Sequence, residues 1–147
     1  MCPAEVPVRE LTTRAVPFPN SKVPVFRHGY LITFPPGGLS GTPAWLSSYG
    51  FSAWAPDGSF AYQKSIEVPD GSQPMVQDMD FNVDGNAVVA ATALGSQSRF
   101  LSGLLFLDRT GQQTGFAGTG RYFPGHLAIA PDNSIWTLGG RTIVRTT

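Results

Sequence analysis

Three stretches decide how this chain folds: Leu31-Ile-Thr-Phe-Pro-Pro36-Gly37, Met79-Asp-Phe-Asn-Val-Asp84-Gly85 and Leu127-Ala-Ile-Ala-Pro-Asp132-Asn133. Each opens on an apolar strand, reaches a tight turn and passes into a second strand. The turn residues fall at positions 36, 84 and 132, two equal steps along the chain. A second family of turns supports the first. Trp54-Ala-Pro-Asp57-Gly58 and Phe106-Leu-Asp108-Arg-Thr-Gly111 set their glycines five positions further apart than one such step, which implies an insertion. The interval from Gly111 to Asn133 is shorter than that from Gly58 to Gly85 by the same five, and the period is restored.

A period of about 48 residues that carries several short strands fits one blade of a β-propeller. One small twisted sheet cannot bury both its faces, whereas stacked sheets cover each other. The fold expected is therefore all-β: four-stranded antiparallel sheets in units of about 28–75, 76–123 and 124–147. Residues 1–24 form an arm and residues 25–147 the repeat domain. Three units make an incomplete ring, because propellers take at least about four blades. A fragment of a larger propeller is the first reading, and self-association of chains through open blade edges the second.

The rest of the sequence agrees with strands and turns. Strand patterns run over Val23 to Phe34, Gly50 to Ala55, Ser59 to Val68, Met79 to Val83, Asn86 to Leu94, Gly103 to Asp108, Gln113 to Ala117, Leu127 to Ala130, Ser134 to Leu138 and Arg141 to Arg145. Between them, Asp57-Gly58, Asp70-Gly71 and Asp84-Gly85 read as hairpin turns, whose residues tolerate the positive φ of primed turns. Charged residues are 14% of the chain, against a usual ~25%. Pro3, Pro7, Pro17, Pro19 and Pro24 each remove a ladder donor and mark the N-terminal arm as extended, with Leu11 to Phe18 able to pair as an edge strand.

Composition also narrows the function. Ten basic and ten acidic residues cancel without a basic stripe, so nucleic acid is not an expected partner. No apolar run reaches the ~20 residues of a membrane-spanning helix. Met1 to Glu10 lacks a basic start and an apolar core, so no export signal is read, and an extracytoplasmic location stays open if the natural start lies upstream. Cys2 is the single cysteine, which rules out an internal disulfide.

The stretch Pro124-Gly-His-Leu-Ala-Ile-Ala-Pro-Asp-Asn-Ser-Ile-Trp136 resembles the innermost hairpin of NHL-repeat, streptogramin-lyase-like and SMP-30/gluconolactonase-like propellers, and Met79 to Val89 is similar. The resemblance covers about residues 28 to 145 and is specific for architecture. It implies a channel lined by the innermost strands, with side chains just before those strands converging on one rim. In this alignment the rim positions hold Tyr30, Asp78 and His126.

A carboxylate, an imidazole and a phenol on one rim can bind a ligand or move a proton. Tyr30, Asp78 and His126 are thus the candidate ligand-binding residues, with His126 and Asp78 the candidate catalytic pair. The resembled enzymes imply a divalent metal as cofactor, although only His126 matches their pattern and no metal ligand is assigned. The bland alternative for His126 is a bond to loop backbone. Gln77 to Asn86 carries alternating aspartates that superficially suggest a calcium loop, but position twelve after Asp78 is Val89 rather than Glu. Trp45, Trp54 and Trp136 read as packing between blades in preference to a sugar platform. Elbow, zincin and P-loop motifs do not occur. The expected function is a propeller-type binding or scaffold module for a protein, peptide or glycan, the alternative a metal-assisted lyase or lactonase.

Overall fold

Strand-forming residues interrupted at short intervals by glycine, proline and aspartate leave little room for helices, and the described residues contain no α-helix. The computed structural model describes residues 25–33 and 50–147. The arm, Cys2, Trp45 and the turn at 34–37 lie outside them.

Three antiparallel sheets follow one another along the chain. The first is β1 (Val25–Arg27), β2 (Tyr30–Thr33), β3 (Gly50–Trp54) and β4 (Phe60–Ser65). The second is β5 (Ser72–Phe81), β6 (Ala87–Leu94), β7 (Phe100–Leu107) and β8 (Gln113–Gly118). The third is β9 (His126–Ile129), β10 (Ile135–Gly139) and β11 (Thr142–Thr146). Within each sheet the strands are ordered as they occur in the chain, and no sheet closes on itself.

Val23 to Phe34 is a hairpin and not a single strand. His28 and Gly29 both take positive φ, 45° and 83°, and Arg27 pairs with Tyr30 across them. That is the two-residue primed turn whose backbone twist suits a hairpin. Leu31 consequently lies on the second strand of its sheet, whereas Met79 and Leu127 lie on the first strands of theirs. The register that equates Leu31 with them is off by one strand. Gly29, Gly85 and Asn133 are the left-handed residues of the three first hairpins, and the first interval between them exceeds the second by eight positions.

The Asp-Gly turns also differ in kind from the expectation. In Ala55 to Ser59, Asn82 to Asn86, Asp108 to Gln112 and Ala130 to Ser134, the first residue's N–H donates to the fifth residue's carbonyl and the fourth residue's N–H donates back to the first. Only the fourth residue is left-handed: Gly58, Gly85, Gly111 and Asn133 at φ 80°, 82°, 83° and 63°. These are type I turns closed by a left-handed bulge residue. Asp70-Gly71 joins no hairpin and links the first sheet to the second.

β5 starts at Ser72, well before Met79, and runs through Pro74. An edge position and two register shifts, between Ser72 and Met75 and between Val76 and Asp78, accommodate the missing donor. Val83 falls beyond the strand and is exposed.

Burial follows the stacking of the sheets. One core joins Ile32, Phe51 and Tyr62 of the first sheet to Met79, Phe81 and Leu105 of the second. Another joins Val88, Ala90 and Leu104 of the second to Leu127, Ile129 and Ile135 of the third. The second sheet is thus covered on both faces, and this is why Ala87 to Ala93 reads as an unbroken run without polar alternation except at Thr92.

Candidate functional site at the junction of the three sheets

Alternate residues of a strand share a face. On β5 this rule sends Met79 and Phe81 toward the first sheet and Asp78 and Asp80 toward the third. Two carboxylates on a buried face must find donors, because an unpaired buried charge is expensive. They find them in the backbone of β9. Asp78 Oδ2 accepts the N–H of Leu127 at 2.9 Å, and Asp80 Oδ2 accepts the N–H of Ile129 at 2.7 Å. Each remaining oxygen turns to the strand itself: Asp78 Oδ1 accepts the N–H of Met79 and Asp80 Oδ1 that of Phe81, both at 2.9 Å. The edge strands β5 and β9 are therefore tied by side chains, with no backbone ladder between them.

The first sheet reaches the same carboxylates from its β1–β2 hairpin. His28 Nδ1 lies 3.0 Å from Asp80 Oδ1, and the Arg27 guanidinium 3.6 Å from Asp78 Oδ1. His126 stands at the start of β9 with Nδ1 3.8 Å from Asp78 Oδ2, an ion-pair distance longer than a hydrogen bond. Two aspartates in register i, i+2 thus collect groups from three sheets.

Of the residues read from sequence, Asp78 and His126 come together here. Tyr30 does not join them: its ring stacks on Phe81, centroids 4.3 Å apart and planes at 10°, and its hydroxyl lies over Gly85. The junction adds Arg27 and His28, which belong to no sequence motif, and Asp80, which in the sequence stands out only as part of the discounted calcium loop. The available signal was Asp80, a second carboxylate two positions from Asp78 and flanked by Met79 and Phe81. The aspartates and asparagines of Gln77 to Asn86 divide between this junction and the hairpin turn, where Asn82 Oδ1 accepts the N–H groups of Asp84 and Asn86.

A separate cleft of about 480 Å³ opens between the second and third sheets toward the turns after β5 and β9. Asn82, Phe106, Ile129 and Asn133 line it, and a hydrogen bond of 3.2 Å, donated by Asn82 Nδ2 to Asn133 Oδ1, crosses its rim. Trp136 faces outward from the third sheet under the Arg145 guanidinium, while Trp54 packs edge-on against Phe60. Among the described residues, no three of His, Cys, Asp and Glu gather closely enough to hold a metal ion.

No protein-family model matches the chain, and no curated protein does. A crystal structure of a protein of unknown function from Bacteroides caccae is similar over 82% of this chain, at 11% identity and a TM-score of 0.32. The chain spans about half the length of that protein, 54% of which is covered.

Proposed function

We propose that the three sheets are consecutive blades of a β-propeller-type module and that the protein is a binding or scaffold module, taking its ligand where Arg27, His28 and His126 surround Asp78 and Asp80. The observation that carries this reading is the side-chain tie between β5 and β9. First strands of successive sheets that run beside each other without a shared ladder are what blades around an axis require, and they leave polar groups from several blades at one rim. Loop and rim residues on a packed scaffold are where binding groups concentrate.

The alternative, a metal-assisted lyase or lactonase, asks for a divalent ion at His126 and Asp78. Less supports this reading. Both Asp78 oxygens already accept backbone N–H groups, and a third ligand is missing among the described residues.

The test compares the full chain with a triple variant, Arg27→Gln, His28→Gln, His126→Gln, on peptide and glycan arrays. Ligands retained by the parent and lost by the variant are expected. Identical retention profiles for two folded proteins would end the rim-binding reading.

A further inference from the structure

We infer that the ligand taken at this rim carries a carboxylate or phosphate group, gripped by Arg27, His28 and His126. The inference deepens the rim-binding reading and rests on it.

The acidic groups of the rim are turned inward and the basic ones outward. The side chains of Asp78 and Asp80 are 13% and 3% exposed, against 39% for Arg27, 49% for His28 and 78% for His126. Four backbone N–H donors, from Met79, Leu127, Phe81 and Ile129, already answer the two carboxylates. A ligand arriving from solvent therefore meets a guanidinium and two imidazoles before it meets either aspartate.

Those groups also have donors to spare. Among the described residues, Arg27 makes one contact at hydrogen-bond length, from a terminal nitrogen to the Phe26 carbonyl at 3.2 Å. Its approach to Asp78 at 3.6 Å is too long to count. A planar guanidinium with most of its five donors unspent is suited to the two oxygens of a carboxylate or phosphate. His126 Nδ1 is likewise uncommitted at 3.8 Å from Asp78.

His28 differs, because Asp80 holds its Nδ1 at 3.0 Å. A carboxylate there accepts Nδ1–H, so the neutral ring presents a lone pair at Nε2. Only the imidazolium has an Nε2–H to give an anion.

The experiment is calorimetric titration of the full chain with inorganic phosphate, succinate and the uncharged succinamide. Phosphate or succinate should bind and succinamide should not, the better of the two anions identifying the group recognised. Arg27→Gln should weaken binding by about tenfold or more, as loss of a charge-assisted bond does. His126→Gln, at a mostly solvent-facing position, guards against misreading a folding defect, and it too should weaken binding.

Failure of both anions to bind at about 10 mM, or undiminished affinity in a folded Arg27→Gln variant, would overturn the assignment. Equal binding of succinamide would overturn it as well, while leaving a rim that binds without using charge. Loss of the array difference described above would remove the broader reading instead.

Discussion

Tyr62 is the residue whose chemistry fits its surroundings least. Its ring is buried in β4, edge-on to Phe51 at 6.0 Å, and its hydroxyl has no hydrogen-bond partner among the described residues. The chain accommodates the ring through Gly111, where a Cβ would collide with the ring carbons. A buried hydroxyl without a partner costs free energy, so Tyr62→Phe is expected to stabilise the protein by about 1 kcal/mol. Burial, with a smaller push from Tyr30 and Asp108, also raises the phenol's pKa above its ordinary 10.0. The unfolded chain ionises this group first. The contribution is thus complete below about pH 10 and lost as the pH climbs beyond it. Urea midpoints of both proteins from neutral to alkaline pH check the prediction: the variant should start higher and fall less. A lower midpoint at neutral pH would mean that the hydroxyl has a partner after all.

At the scale of strands and turns, the aspartates of the hairpins are worked hard. Asp108 Oδ1 accepts the hydroxyl and N–H of Thr110 and the N–H of Gln112, and Asp132 Oδ1 accepts the hydroxyl and N–H of Ser134. The hydroxyl bond in each turn is the main reason that both carboxyls ionise below the usual range. Their support is present above the unfolded value of about 4 and fades as the pH falls through the lower folded value. An Asp-Gly pair cannot by itself distinguish a primed turn from a type I turn with a bulge, since both place glycine at positive φ. The side-chain bonds that brace the second come from the opening residue, Asn82 or Asp108, in two turns and from the third residue, Asp57 or Asp132, in the other two.

The β1–β2 turn was hidden for the opposite reason. Residues other than glycine seldom take positive φ, and His28-Gly29 sits between the strand-forming runs Val25-Phe26 and Tyr30 to Phe34. With that turn unseen, the first repeat slipped by a strand, and Arg27 and His28 were lost from view. Asp78 and His126 were legible because they hold the same register one repeat apart. Their nearest contacts were not, because His28 meets Asp80 from a different sheet, through a hairpin that breaks the period. His28→Asn keeps a residue tolerant of positive φ and removes the imidazole, and should cost about 1 kcal/mol. Asp80→Asn puts an amide NH2 against a backbone donor whichever way it turns, and should cost about 2–4 kcal/mol. Combining the two should recover a coupling of about 1 kcal/mol, whereas His126→Asn should stay within about 0.5 kcal/mol of the parent. Chemical denaturation of the four variants decides this. A cost at His126 equal to that at His28 would show that the weight of the junction lies elsewhere.

On the scale of the whole molecule, a stack of sheets has joints and ends. The joint between the second and third sheets combines an apolar layer with the Asp78 and Asp80 ties. The third sheet presents His126 and Ala128 at the equivalent positions one repeat on, which offer no carboxylate, so that tie cannot recur on its outer face. That face instead carries Trp136, Leu138 and Ile143 beside Arg145, and Ile143 is 67% exposed. The two faces of one sheet should accordingly respond differently to the same loss of side chain. Ile135→Ala, on the face packed against Val88 and Leu104, should cost about 2–4 kcal/mol through its cavity. Ile143→Ala should change stability by less than about 0.5 kcal/mol. Thermal and urea unfolding across a range of protein concentrations provide the measurement. Equal costs at the two positions would mean that the outer face is covered in solution, and a concentration-dependent cost at Ile143 would identify the cover as another molecule of the chain.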